Sequence, residues 1–423
     1  MSRPRAAIVV TGSELVRGER TDLNGPFLAR ELLARGLDPA RISIVGDTPG
    51  ELTAALGEGM QADLCIVTGG LGPTHDDRTV ELLAAAAGLE LVVDAELERE
   101  IEARSRAVAE RLGRPYSDFA AGVRKQATRP ETSLPIGLVG TAPGLVVPVE
   151  GRVAIVLPGP PWELRELWPR ALATEPVQSL LVRARRPTRR VLRFYGASES
   201  AVAQALAEAG GDGEGVEATI CARDFEIHVD LLVEPGAEGR AEVLAAALRE
   251  PLEKWLFTDD ERSVEELVLD LCRRQSLTIA TAESCTGGLV AARLTSVPGS
   301  SDAFLGAIVA YADEVKEGEL GVPTAVLRRH GAVSAETAAA MAAGVRSRLD
   351  ADVGIGVTGI AGPGGGTPDK PVGLVYVHAE TPAASRGIEF SYPADRDSIR
   401  RRATVAALHL ARRLLSHARD SRA

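Results

Sequence analysis

The last third of this 423-residue chain sets a serine, a lysine and a glycine-rich loop near the ends of apolar runs. Thr281-Ala282-Glu283-Ser284-Cys285-Thr286-Gly287-Gly288 joins a strand-like run, Leu277 to Ala280, to a helix-like run, Leu289 to Thr295. At such a turn the first helical N–H groups lack partners and the dipole is positive, which favours an anion or a developing oxyanion. Ser284 would lie beside those donors, with the N–H groups of Thr286 to Gly288 as the oxyanion hole. Gly287 and Gly288 would let a ligand approach the backbone. Read alone, Ser-x-Thr-Gly-Gly fits a plain helix cap, through Ser284 or Thr286, more readily than a catalytic turn. Cys285, next to Ser284, is either a reactive thiol or a small packing residue.

Lysine usage adds a second group. Of 48 basic residues only Lys125, Lys254, Lys316 and Lys370 are lysine. Arginine cannot give up its proton in a protein, whereas lysine can act as a base, so lysine in an arginine-writing chain marks a place where arginine would not serve. The alternative is a solvated helix face. Phe304 to Tyr311 reads as a buried strand and the following helix carries Lys316. A third run, Asp352 to Val357, leads into Thr358-Gly359-Ile360-Ala361-Gly362-Pro363-Gly364-Gly365-Gly366-Thr367, a loop rich in free N–H groups and suited to phosphate or carboxylate. Its other reading is a flexible linker. Together the three runs set Ser284, Tyr311, Lys316 and Thr358 at strand ends, where open α/β sheets bind ligands. An activated hydroxyl, a lysine base and oxyanion donors are the parts of amide hydrolysis.

These motifs, with Thr295-Ser296-Val297-Pro298-Gly299-Ser300-Ser301 and Val357 through Lys370, closely resemble the C-terminal domain of the CinA (competence/damage-inducible) family over about residues 261–413. The resemblance implies hydrolysis of the carboxamide of nicotinamide mononucleotide to nicotinic acid mononucleotide and ammonia, with no cofactor. It makes Ser284 the nucleophile or water-activating hydroxyl, with Tyr311, Lys316 and Thr358 around it. Thr286, Gly287, Gly288, Gly359, Gly362, Gly364, Gly365, Arg396 and Arg400 become the substrate-binding set. Where the family writes Tyr-Ser-Asn-Glu-Ala-Lys, this chain has Tyr311-Ala312-Asp313-Glu314-Val315-Lys316, so a role for the Asn side chain does not carry over.

The elements that must position these groups alternate between strand and helix along both halves, as in a multidomain α/β protein. Ala7-Ile8-Val9-Val10 leads to Gly12-Ser13-Glu14, Ile42 to Val45 leads to Asp47, and Leu64-Cys65-Ile66-Val67 leads to Thr68-Gly69-Gly70-Leu71-Gly72-Pro73-Thr74 with Asp76-Asp77. This predicts a doubly wound domain with a phosphate-friendly rim. Asp76 and Asp77 suit a hard cation or a helix cap. The half resembles molybdopterin-binding proteins, a domain associated in this family with divalent-metal-dependent ADP-ribose pyrophosphatase activity. That implies a nucleotide-binding set of Glu14, Asn24, Asp47, Thr68, Gly69 and Gly70, and a cobalt or magnesium ion at Asp76 and Asp77. The family's Gly-Asp-Glu-Leu stands here as Gly12-Ser13-Glu14-Leu15, and its Leu-Pro-Asn as Leu134-Pro135-Ile136.

The expected organisation is a molybdopterin-binding-like domain over 1–171, a small KH-like α+β module over 172–258 acting as spacer or dimerisation element, and the C-terminal α/β domain over 259–423. A net charge of −11 opposes a large nucleic-acid surface. The four cysteines lack paired spacing and suggest neither zinc nor a disulfide framework. No apolar run reaches about 18 residues. The expectation is a cytoplasmic homodimer acting on small nucleotides without direct nucleic-acid or membrane contact. The alternative is a non-catalytic nucleotide- or molybdopterin-binding scaffold linked to competence.

Overall fold

The computed structural model describes residues 3–420 as two compact units. The first comprises the chain up to Thr188 with Val233–Glu238; the second comprises Arg189–Leu232 and the chain from Gly239 onward.

In the first unit a six-stranded sheet runs in the order Asp38–Val45, Arg5–Thr11, Leu64–Thr68, Arg152–Leu157, Pro143–Val149, Leu134–Leu138. The first four strands are parallel and the last two pair antiparallel. Successive side chains of a strand point to opposite faces, and here both faces are apolar. Ile8, Val10, Ile66 and Ile155 pack on one side with Leu28 and Leu32 of helix Asn24–Ala34 and Leu164 and Trp168 of helix Pro161–Leu172. Val9, Cys65, Val67 and Val156 pack on the other with Leu52 and Leu56 of helix Pro49–Gly59 and Leu83 of helix Thr79–Ala87. Each fully buried Leu or Ile contributes about 1.5–3 kcal/mol. The near-continuous apolar strands are therefore explained by helices on both sides, which is the doubly wound arrangement.

The second unit has two sheets. Its smaller one orders Val216–Arg223, Glu226–Val233, Thr188–Phe194 and Leu256–Thr258, with helices Glu199–Glu208 and Glu238–Leu252. Its larger one orders Phe304–Val309, Ile279–Glu283, Val353–Gly359, Leu374–Glu380 and Ser385–Ser391. Here too the sheet is mixed: three parallel strands are followed by two antiparallel ones. Helix Val264–Arg274 starts at a capping box, Ser263 with Glu266, and buries Val264 and Val268 against Ile279, Ile355, Ile399 and Leu408. On the opposite face Ala280 and Ala282 meet Met341 and Val345 of helix Ala335–Arg348. That helix lies so close that a Cβ on Gly354 or Gly356 would run into the carbonyls of Ala342 and Ala338.

One expectation needs correcting. Phe304–Val309 is an edge strand whose burial alternates, with Leu305 and Val309 about half exposed, so it is not a buried strand. It has one neighbouring strand, and the face carrying Leu305, Ala307 and Val309 is exposed.

Candidate active site

The three parallel strands of the larger sheet bring their C-terminal ends together. Glu283 pairs with Val309 on one side and Val357 on the other, and the Ser284 N–H donates to the Val357 carbonyl at 2.9 Å. Ala310 N–H donates to Glu283 O at 2.8 Å, which fixes the start of the Tyr311 segment beside Ser284. Ser284 is 8% exposed, and its hydroxyl makes no hydrogen bond among the described residues.

The turn after Ser284 is held from inside by a residue that sequence reasoning passed over. Glu283 is fully buried, and its carboxylate accepts from the N–H groups of Gly288 at 2.8 Å, Val290 at 3.1 Å and Ala291 at 2.8 Å. Thr281 Oγ1 adds a fourth donor at 3.2 Å. The Gly287 N–H turns to Ser284 O at 3.1 Å. The expectation that Thr286 to Gly288 offer free N–H donors is therefore wrong for Gly287 and Gly288. A buried carboxylate needs several donors, and Glu283 takes those at this helix start. The sequence signal was present: an acidic residue closing an apolar strand must find partners indoors.

From outside, Arg400 donates through Nε to Cys285 O at 3.2 Å and through Nη2 to Thr286 O at 2.9 Å. One helical turn earlier, Arg396 donates to Gly362 O at 2.7 Å and to the Tyr311 hydroxyl at 2.9 Å. Two arginines of helix Arg396–Asp420 thus join the serine turn, the Tyr311 segment and the glycine loop. Both spend donors within the protein, although a guanidinium has five, so others remain for a ligand.

Lys316 is buried at 1% exposure, which removes the solvated-face reading. Its Nζ donates to Tyr311 O and to Asp313 Oδ1, each at 3.1 Å. Tyr311 itself is 60% exposed. Thr358 is buried and donates its hydroxyl to Ala332 O at 2.7 Å. Lys370 donates to the carbonyls of His330 and Val333, both at 2.7 Å, and ties the glycine loop to the turn that Thr358 also holds. Of the loop glycines, Gly362 and Gly365 have positive φ, Gly359 packs against Leu374 and Val375, and Gly364 faces open space. Burial pushes the Cys285 thiol up to about 12, so it stays protonated and packs.

In the first unit the corresponding strand ends line a cavity of about 370 Å³ that includes Glu14, Asp47, Asp76, Asp77 and Glu163. Asp47 is satisfied within the rim: it accepts from Thr11 Oγ1 at 2.8 Å, Ser13 N at 2.9 Å and Ser13 Oγ at 2.8 Å. Ser13 thus supplies hydroxyl and amide donors to a neighbouring carboxylate. Asn24 is buried and donates to Thr68 Oγ1 at 3.1 Å and Gly159 O at 2.7 Å, while Thr68 donates to Pro158 O at 2.8 Å. These two brace the rim. Gly69 and Gly70 have positive φ and lie against Thr11 and Thr79, which leaves no room for a Cβ.

Asp76 and Asp77 both take hydrogen bonds from Thr74, and the Thr74 hydroxyl holds the Asp76 carboxyl below its ordinary range. Each keeps an oxygen free, which suits a hard cation. Yet among the described residues no three His, Cys, Asp or Glu side chains converge on one point. The side chains alone therefore do not fit a resident divalent ion. Glu163, a rim residue absent from the sequence expectations, is buried, and burial raises its carboxyl pKa against the Gly140 N–H and Arg104.

The second unit's site is of the class in which a strand-end hydroxyl, a buried lysine and a glycine loop share one sheet edge. A model described as the CinA C-terminal domain matches residues 261–415, and one described as a probable molybdopterin binding domain matches residues 7–175. The CinA-like protein of Mycolicibacterium paratuberculosis is 44% identical over 98% of this chain and 99% of its own length. That of Mycobacterium tuberculosis is 43% identical over 97% of each. This chain belongs to the CinA family. A solved competence/damage inducible protein from Agrobacterium tumefaciens is 38% identical, covering 38% of this chain and 99% of that one, with a TM-score of 0.35. No helix among the described residues is long and apolar enough to cross a membrane.

Proposed function

We propose that the second unit hydrolyses the carboxamide of nicotinamide mononucleotide, giving nicotinic acid mononucleotide and ammonia, with Ser284 as nucleophile. The observation that carries this reading is the buried Ser284 hydroxyl, unspent among the described residues, beside the segment that anchors buried Lys316. Ser284 Oγ attacks the amide carbon, and the Lys316 amine takes the hydroxyl proton and passes it to the departing nitrogen. Ammonia leaves, and water then attacks the acyl carbon to release the acid and restore the hydroxyl. The positive ends of Arg396 and the open glycines near Gly364 suit the substrate phosphate.

Ammonia release by the full chain tests it, with and without chelator. Loss of activity in Ser284→Ala is the expected outcome. Wild-type kcat in that variant would remove Ser284 from the chemistry. Lys316→Arg should be nearly as damaging as Lys316→Ala, since arginine keeps the charge but accepts no proton.

The first unit reads as a nucleotide-binding rim, supported by its carboxylate-lined cavity and braced glycine turn. A diphosphate there would need a cation between it and the carboxylates. ADP-ribose incubated with cobalt or magnesium and watched for AMP separates cleavage from binding. Nucleotide binding by both units with no turnover of any pyridine nucleotide would favour a scaffold.

A further inference from the structure

We propose that Asp313 is the positioning residue that aims the Lys316 amine at the serine turn. This rests on the amidase reading of the same site. A lysine side chain turns about four bonds, and Lys316 rises from helix Asp313–Leu320 with its stem buried. Two acceptors fix its tip: the Tyr311 carbonyl, which the backbone supplies whatever the sequence, and the Asp313 carboxylate, each at 3.1 Å. Among the described residues Asp313 is the one side chain that accepts from the amine. It sits at the first turn of the helix with its own side chain 55% exposed, so a substitution there disturbs no core packing.

The other charged groups around the lysine are engaged elsewhere. Glu283, on the adjacent strand, spends its carboxylate on Gly288, Val290 and Ala291. On helix Ala335–Arg348, which packs against the lysine's helix, Glu336 pairs with His330, Arg346 with Glu380 and Arg348 with Glu319. The Tyr311 hydroxyl holds Arg396. Among the described residues Asp313 alone places a carboxylate oxygen beside the Lys316 Nζ, at 3.1 Å. With Asp313 removed, the amine keeps one carbonyl and swings about it. A reacting group displaced by about 1 Å costs on the order of a hundredfold in rate.

The test compares Asp313→Ala with Asp313→Asn in ammonia release. The alanine variant should lose about ten- to a hundredfold in kcat with KM within about twofold, because substrate binding does not use this residue. The asparagine variant should recover most of the rate, since its amide oxygen accepts the same hydrogen bond. Wild-type kcat in Asp313→Ala, or equal damage from both variants, would overturn the proposal. A second readout needs no substrate. Protein labelled with [13C]lysine carries only four labelled residues, and the Lys316 Cε signal is assigned by its loss in Lys316→Met. Its two Hε protons should be inequivalent in wild type and in Asp313→Asn and merge in Asp313→Ala; unchanged inequivalence in Asp313→Ala would also overturn it. A wild-type enzyme releasing no ammonia at any pH would sink the amidase reading, while this spectrum would still decide on Asp313.

Discussion

Both units end parallel strands in glycine turns decorated with hydroxyls and carboxylates, but they leave different groups unspent. In the second unit the carboxylate beside the turn, Glu283, is saturated by N–H donors, and the Ser284 hydroxyl has no partner. In the first the hydroxyls of Thr11, Ser13 and Thr68 are all donated within the rim, while Glu14 and Glu163 face a cavity. A hydroxyl left free is a nucleophile in waiting. Carboxylates left free call for a proton, a cation or a cationic ligand. The same kind of sheet edge thus leaves different polar groups unsatisfied in the two units.

The largest effect should come from the Ser284 hydroxyl. Ser284→Ala should lower kcat for ammonia release by several orders of magnitude. Nucleotide binding by the first unit, followed by calorimetry, should not change. A drop in both would mean that the contrast between the units is not one of chemistry.

Next comes the clamp on the serine turn. Arg400→Ala frees the Cys285 and Thr286 carbonyls, and the resulting displacement of Ser284 should cost roughly ten- to a hundredfold in kcat. Arg400→Lys should recover little, because one ammonium cannot reproduce the two-atom contact of the fork. An Arg400→Ala enzyme that changes only KM would assign the residue to substrate phosphate instead.

The units also differ in how they treat buried acids. Glu226 lies on strand Glu226–Val233, with His409 Nε2 at 2.7 Å and His228 Nε2 at 3.0 Å. Burial pushes its carboxyl up, but the two histidine hydrogen bonds outweigh that and hold it at about 2. Burial pushes His409 down to about 4 against its bond to Glu226. A depressed carboxylate stabilises the fold above its unfolded value of about 4.3, and that contribution is lost as pH falls towards 2. A histidine held neutral loses stability as pH falls from about 6.5 towards 4. Both signs agree, so the second unit should weaken steadily with acid below about pH 6. Glu226→Ala strands His409 indoors and should cost about 2 kcal/mol at neutral pH, read by denaturant unfolding. No change in stability would remove the pair from the account.

Much of this was legible in sequence, and the reasons for the gaps are physical. Runs such as Ala7 to Val10 and Leu64 to Val67 are apolar at every position, which marked strands covered on both faces, and they are. The gathering of Ser284, Tyr311, Lys316 and Thr358 followed from their places at strand ends. What stayed hidden was partnership. Nothing in the spacing says that Glu283 reaches forward to Val290 and Ala291, or that Arg400 finds carbonyls 114 and 115 residues away. The edge character of Phe304–Val309 was missed because an outer face left apolar reads like a core face. The rarity of lysine singles out Lys370, but its bonds to His330 and Val333 exist only in the fold.

The smallest expected effect has the opposite sign to the others and probes the first unit. Glu163 lies in the first turn of helix Pro161–Leu172 beside the rim cavity, and burial raises its pKa by more than the Gly140 N–H and Arg104 lower it. A carboxylate raised in the fold stabilises most below its unfolded pKa, where it is protonated, and that advantage is lost as pH rises through the folded value. At neutral pH the ionised group is therefore a burden on the rim, and Glu163→Gln should relieve it. The gain should be about 1 kcal/mol or less, a shift of roughly 2–4 °C in the melting of a unit this size. Lowering the pH through the raised range of this carboxyl should shrink the difference between variant and wild type, since the wild-type group takes up its proton there. Ammonia release should be untouched. A destabilised Glu163→Gln protein at neutral pH would show that this carboxylate has a partner holding its charge, and the first unit would then satisfy its acids as fully as the second.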